Sequence, residues 1–235
     1  MDLNGLVDRS FGLLGEVLNE SIPLTTGGDL RCAFVYRHAT NILRLGQDVI
    51  YLLTESRVDS CQIVVRATLE SLFKLVAATK RSEAAHEIVL SEVEEQLGRI
   101  SKWLDPVACA PAIDSLSKFA KQLRKDFGIS SNRKWSVIDC ADAAELTQNY
   151  REDYFCFSGS VHATTSGIIS QESRVGAGYA LQTLLFVVLC AVAHFVQVVQ
   201  TGAPQKSIDE AAMLLRELTR MVDEGIFREL DREEE

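Results

Sequence analysis

Apolar residues recur at helical spacing along almost the whole chain. Val65, Leu69, Leu72 and Val76 fall at i, i+4, i+7 and i+11, which puts them on one face of a helix and predicts a core stripe. The breaks between such stretches predict eight helices. The first runs from about Asp2 to Glu20 and ends before Pro23. Asp29 caps a second that reaches about Leu53, with Gly46 as a point where it bends. Asp59 or Ser60 caps a third, to about Thr79. Ser82 opens a fourth, which is closed after Trp103 by Pro106 and Pro111, and a fifth runs from about Ala112 to Phe127 and stops at Gly128. Asp139 or Asp142 starts a sixth helix that reaches about His162. A Thr/Ser/Gly loop fills 163–173, and an apolar helix continues from there to about Thr201. Ser207 with Glu210 makes a capping box for the last helix, to about Asp223.

Short connections between long amphipathic segments predict an all-α, compact multi-helix bundle. Only 4 prolines and 14 glycines punctuate 235 residues, too few for many short strands and turns. We expect one domain over 1–223 and an acidic tail over 224–235. Glu229 to Glu235 hold five acids and one arginine, so the tail carries −4 of the net −9. An acidic body offers phosphate no general attraction, and any nucleic-acid contact must come from a local basic patch. The stretch Tyr179 to Gln200 resembles a membrane span, but its longest apolar run, Leu184 to Ala193, is about half the length a span needs. Gln182, His194, Gln197 and Gln200 gather on one side of it, as in the central helix of a bundle. No membrane association is expected. Met1 to Ser10 contain no basic segment leading into an apolar run, and the six cysteines form no C-x-x-C pair. These features predict a cytoplasmic protein with free thiols that act mostly as small core residues.

Candidate chemistry concentrates in Tyr150 to His162, YREDYFCFSGSVH. On a continuous helix Arg151, Tyr154, Ser158 and His162 share a sector of about 80°, opposite Glu152, Asp153 and Ser160. Acids mark the wet face, so the first group points inward, where unpaired polar groups cost roughly 1–3 kcal/mol each. Arg66 and Glu70, one turn apart in RATLE beside the core stripe, are the expected partners. Such a cluster could hold its members in place or bind an anion. Gln62, Arg66, Glu70 and Lys74 also recur every fourth residue, the spacing of an ordinary solvated face.

RATLE on one helix, with Tyr154, Ser158 and His162 far downstream on another, resembles a bacterial family of unknown function in which an arginine and a glutamate four apart precede such a tyrosine, serine and histidine. The likeness spans about Asp59 to Gln200. That family is distantly similar to HEPN domains, helical bundles found in bacterial toxins and phage-defence ribonucleases. The resemblance implies a HEPN-like fold, RNA as partner, action as a homodimer, and metal-independent catalysis. In that chemistry a histidine moves the ribose 2′-hydroxyl proton and an arginine stabilises the phosphorane. HEPN ribonucleases carry the arginine four to six residues from the histidine. Here Phe155, Cys156 and Phe157 occupy the positions seven, six and five before His162. Arg151, eleven residues before it, lies about 16 Å away on a helix. The resemblance therefore implies either His162 with Arg66 as phosphate ligand from another helix, or a relative without catalysis.

A second signal is the stretch holding Lys118, Lys121, Arg124, Lys125, Arg133 and Lys134, with Phe119, Phe127 and Trp135 between them. Cations alternating with aromatics suit a polyanion, and they equally suit a solvated helix face and loop. No phosphate-loop, dinucleotide, zinc-protease or nucleophile-elbow motif is present, and we expect no metal and no cofactor. Two functions stay open: a HEPN-like protein of a bacterial defence or toxin–antitoxin type system that cleaves RNA through His162, or a non-catalytic interaction or sensor module that binds a partner protein or a small anionic ligand.

Overall fold

The computed structural model describes residues 1–25, 29–105, 107–130, 134–161, 176–199 and 204–232, and every regular element among them is helical. The helices are α1 (Leu3–Thr25), α2 (Leu30–Thr54), α3 (Val58–Lys80), α4 (Ala84–Trp103), α5 (Ala110–Phe127), α6 (Val137–Ala143), α7 (Thr147–Asn149), a π turn (Tyr150–Tyr154), α8 (Phe155–Val161), α9 (Ala177–Val198), α10 (Pro204–Asp223) and α11 (Ile226–Arg232).

α9 organises the bundle. It is buried at Leu184, Leu185, Val187, Val188 and Leu189 in near succession, and α1, α2, α3, α10 and α11 pack around it. Each such side chain contributes about 1.5–3 kcal/mol by leaving water. Gln182, Phe186, Cys190, His194 and Gln197 form the less buried strip, in line with the polar side read from the sequence. By length and apolar content α9 also meets the requirement for crossing a membrane, and 61% of its most apolar window is buried against the rest of the chain. Val65, Leu69, Leu72 and Val76 of α3 are all core residues. Gly46 serves close approach: a Cβ there would stand 2.6 Å from the Phe11 ring. α4 and α5 form a hairpin beside this core, with Leu90 and Val93 against Ala120 and Leu123.

Several boundaries differ from the sequence reading. α1 runs past Pro23 to Thr25, because a proline in a last turn removes a single backbone bond. The expected sixth helix is broken after Ala143: Glu145 adopts φ 59, and the chain restarts as α7. Ser136 caps α6, and Asp139 is the reciprocal partner of its capping box. Arg57 precedes α3 without a side-chain cap, so Asp59 lies in the first turn. Ser207 lies inside α10, and Glu210 accepts Arg9 of α1 instead of closing a capping box. Within the segment expected to be an acidic tail, Ile226–Arg232 is helical and Phe227 is buried. Gly128 closes α5 at φ 62, and Asp29 caps α2 by accepting Arg31 N–H at 2.9 Å, both as expected.

His38 of α2 is buried edge-on against Phe34, with neither ring nitrogen hydrogen-bonded. Burial first, then Lys74 and Arg37, push its imidazole down to about 3. The unfolded chain takes up a proton near pH 6.5 that the folded chain refuses, so this stability is complete above that pH and declines toward 3. At about pH 5 the loss from His38 is about 2 kcal/mol. Thermal unfolding of His38→Leu should show a higher melting temperature at about pH 5 and a flatter pH dependence than the parent. Parallel pH profiles for the two proteins would show that His38 does not carry the effect.

Candidate functional site

Beside its core stripe, α3 presents Gln62, Arg66, Glu70 and Lys74. This is no solvated face: Gln62 is 2% exposed, Arg66 and Glu70 are half-buried, and Lys74 pairs with Glu92 of α4. The seam is covered by the later part of the segment from α7 to α8: Tyr154 of the π turn bonds to it, and α8 packs against α3.

That segment changes winding at its centre. Phe155 N–H donates to the Tyr150 carbonyl, five residues back, and this adds a residue to the turn. Tyr150 and Tyr154 stack at 5.0 Å between ring centroids, and both lie against Phe73 of α3. One added residue rotates the helix beyond it by about 100° relative to the turns before it. Hence the polar sector expected of a continuous helix does not form. Tyr154 and Phe157 are buried and Ser158 is half-buried, while Arg151 faces solvent and Phe155 is 71% exposed. Arg151 is therefore not part of the cluster. Asp153, expected on the wet face, accepts Asn149 at 3.0 Å and the Tyr179 hydroxyl of α9. Burial and this bond to Asp153 push the Tyr179 phenol well above its ordinary range.

Arg66, Glu70 and Tyr154 come together. Arg66 Nη2 donates to the Tyr154 hydroxyl at 2.8 Å, and that hydroxyl donates to Glu70 Oε1 at 2.8 Å. The guanidinium carbon lies 5.0 Å from the Tyr154 ring centroid, a cation–π contact. Arg66 Nε sits 3.5 Å from Glu70, an ion-pair separation without a hydrogen bond, and is buried. Burial raises the Tyr154 phenol, Arg66 opposes that and Glu70 reinforces it, so the hydroxyl stays protonated and bridges the two charges. Ser158 Oγ donates to the Tyr154 carbonyl at 2.7 Å, within its own helical segment. His162 lies outside the described residues, as does Arg133. The sequence reading missed Tyr150, Tyr179 and the inward turn of Asp153. The four-residue spacing of Tyr150 and Tyr154 was the signal for the stacked pair.

The second candidate region is partly internal. Lys118, Lys121, Lys125 and Lys134 are exposed, and Lys118 pairs with Asp114 at 2.7 Å. Arg124 turns inward to Glu94, and the Phe127 ring lies tilted against His86 with centroids 3.6 Å apart. Trp135 donates from Nε1 to Glu87 at 3.1 Å.

If Arg66, Glu70 and Tyr154 act as one unit, Arg66→Ala and Tyr154→Phe should each destabilise by about 1–3 kcal/mol. Their effects should couple by about 0.5–3 kcal/mol in a double-mutant cycle monitored by denaturant unfolding. Additive losses would mean that the three groups are merely neighbours. Ser158→Ala, which gives up only a bond to its own helix, should change stability by less than about 1 kcal/mol.

The family of unknown function DUF5677 matches residues 33–174, more than half of the chain. The match begins in α2 and ends before α9, so it starts and ends earlier than the likeness read from the sequence and includes Arg66, Glu70, Tyr154, Ser158 and His162. No protein of curated function and no solved structure matches the chain. The chain belongs to the family of unknown function DUF5677.

Proposed function

We propose that this protein acts on RNA as a HEPN-like, metal-independent ribonuclease of a bacterial defence or toxin–antitoxin type system, in the cytoplasm and as a homodimer. The observation that carries the reading is the Arg66–Tyr154–Glu70 bridge. It ties Tyr154, four residues before Ser158 and eight before His162 in the sequence, onto α3. In this reading His162 takes the proton from a ribose 2′-hydroxyl. The 2′-oxygen attacks phosphorus, the bond from phosphorus to the 5′-oxygen breaks, and that oxygen takes a proton from water, giving a 2′,3′-cyclic phosphate and a 5′-hydroxyl. Arg66 is the phosphate ligand of this reading: Glu70 and Tyr154 hold its Nε and Nη2 sides, and its Nη1 has no partner among the described residues.

One observation favours the other function. Glu70 offsets the charge of Arg66, and Tyr154 occupies one of its donors, as suits a packing device in a non-catalytic module that binds a partner protein or a small anionic ligand. Cleavage of mixed cellular RNA in chelator separates the two. The ribonuclease reading expects cleavage by the parent protein, and a fall of at least about a hundredfold in a folded His162→Ala variant. Absence of cleavage by the parent, or equal cleavage by both, would overturn it and leave the binding module.

A further inference from the structure

The hairpin of α4 and α5 outruns the core it leans on. Its buried residues lie in the half nearest the bundle: the last on α4 is Val93, and the first on α5 is Ala120. Beyond them Leu97 and Ile100 continue the apolar stripe of α4, and Ile113 and Leu116 that of α5, yet all four stay partly exposed. Around the tip Trp103, Leu104 and Val107 are 72%, 55% and 82% exposed, and Phe119 on α5 is 43% exposed. Single exposed apolar residues are ordinary, but four at one end of one hairpin make a patch.

That patch has a side. Glu94 of α4 and Arg124 of α5 bridge one flank of the hairpin, and residues 134–136 cover the same flank, where the Trp135 backbone N–H donates to Ser91 Oγ and its Nε1 to Glu87. Trp103 lies about 180° around α4 from Glu94, and Phe119 about 140° around α5 from Arg124. Both rings therefore flank the seam on its other, uncovered side.

Charge identifies what covers it. α4 carries Glu87, Glu92, Glu94 and Glu95 against Arg99 and Lys102, a net −2, while α5 carries Lys118, Lys121, Arg124 and Lys125 against Asp114 and Asp126, a net +2. The hairpin is thus neutral in a chain of net charge −9, so two copies repel each other less here than elsewhere. A twofold axis that sets two hairpins antiparallel places the acidic α4 of each copy beside the basic α5 of the other. Two helices cannot enclose an apolar stripe by themselves, and four can. The four exposed side chains present on the order of 450 Å². That is more than half of the roughly 800 Å² that each partner of a stable interface buries, and the half-buried stripe and its charged rim add to it.

We propose that this side of the hairpin is the interface between two copies of the chain, an inference that rests on the homodimer of the proposed function and names its surface. The two hairpins form a four-helix bundle, with Trp103 and Phe119 of each copy closing over the apolar stripe of the other. The α3 seam with Arg66, Glu70 and Tyr154 takes no part in it.

The test is sedimentation velocity of the full-length protein over a concentration series. The parent should sediment as a species of twice the 26.0 kDa chain. Trp103→Ala removes an indole from both sides of a twofold interface and should raise the dissociation constant about a hundredfold or more. Phe119→Ala should raise it about tenfold. Tyr51→Ala, which removes an aromatic ring 62% exposed on α2, should dimerise as the parent does. Each replaced side chain is exposed, so far-ultraviolet circular dichroism of all three variants should match the parent's. A parent that stays monomeric up to about 100 μM would overturn the interface and the homodimer together. A parent dimer that Trp103→Ala and Phe119→Ala leave intact would overturn the interface alone, because the two copies would then meet elsewhere. A hairpin-dependent dimer that cleaves no RNA would support the interface and overturn only the catalytic reading.

Discussion

A helix that is apolar on nearly every side can be stable in this protein only if other helices surround it, and α9 imposes that condition on the rest of the chain. Leu184, Leu185, Val187, Val188 and Leu189 cannot all face one neighbour, so α1, α2, α3, α10 and α11 are arranged around them. α1 approaches α2 at Gly46, where the Phe11 ring and Leu184 of α9 would meet any added Cβ. Glu210 of α10 is held by Arg9 of α1, which joins the first and last long helices on the surface of the same core.

This arrangement commits α3 twice. Leu69, Leu72 and Val76 face the core, and the neighbouring seam of Gln62, Arg66 and Glu70 is left to the segment from α7 to α8. Burying a guanidinium and a carboxylate there is costly unless each finds a partner. Tyr154 supplies one hydroxyl that accepts from the first and donates to the second. Tyr154 points inward as on a continuous helix, and in the π turn its ring stacks on Tyr150 over Phe73. The added residue separates Arg151 from that side, and Arg151 faces solvent. Local winding thus decides which side chains make up the cluster that precedes Ser158 and His162.

Features determined by nearby residues were legible in the sequence, and features determined by distant ones were not. The stripe on α3, the apolar continuity of α9, the Asp29 cap and the Gly128 stop are each set within a few positions. The pairing of Arg66 and Glu70 with Tyr154 was also legible, since buried polar groups need partners and few were available. The π turn leaves no mark on periodicity until neighbours fix it, and a helix assumed to be continuous puts Arg151 in the wrong place. Glu145 at φ 59 is a non-glycine residue in a region that favours glycine, and nothing near it announces a break. The Ser207–Glu210 box failed because a long-range partner, Arg9, took the glutamate.

The Arg66–Tyr154–Glu70 bridge holds the segment from the π turn through α8 against α3. Amide hydrogen exchange, resolved by segment, in the parent protein and in Arg66→Ala tests it most directly. Arg66→Ala should exchange faster across Tyr150 to Val161, with protection of Leu184 to Leu189 in α9 retained. Unchanged protection of Tyr150 to Val161, or loss spread evenly over the bundle, would contradict it.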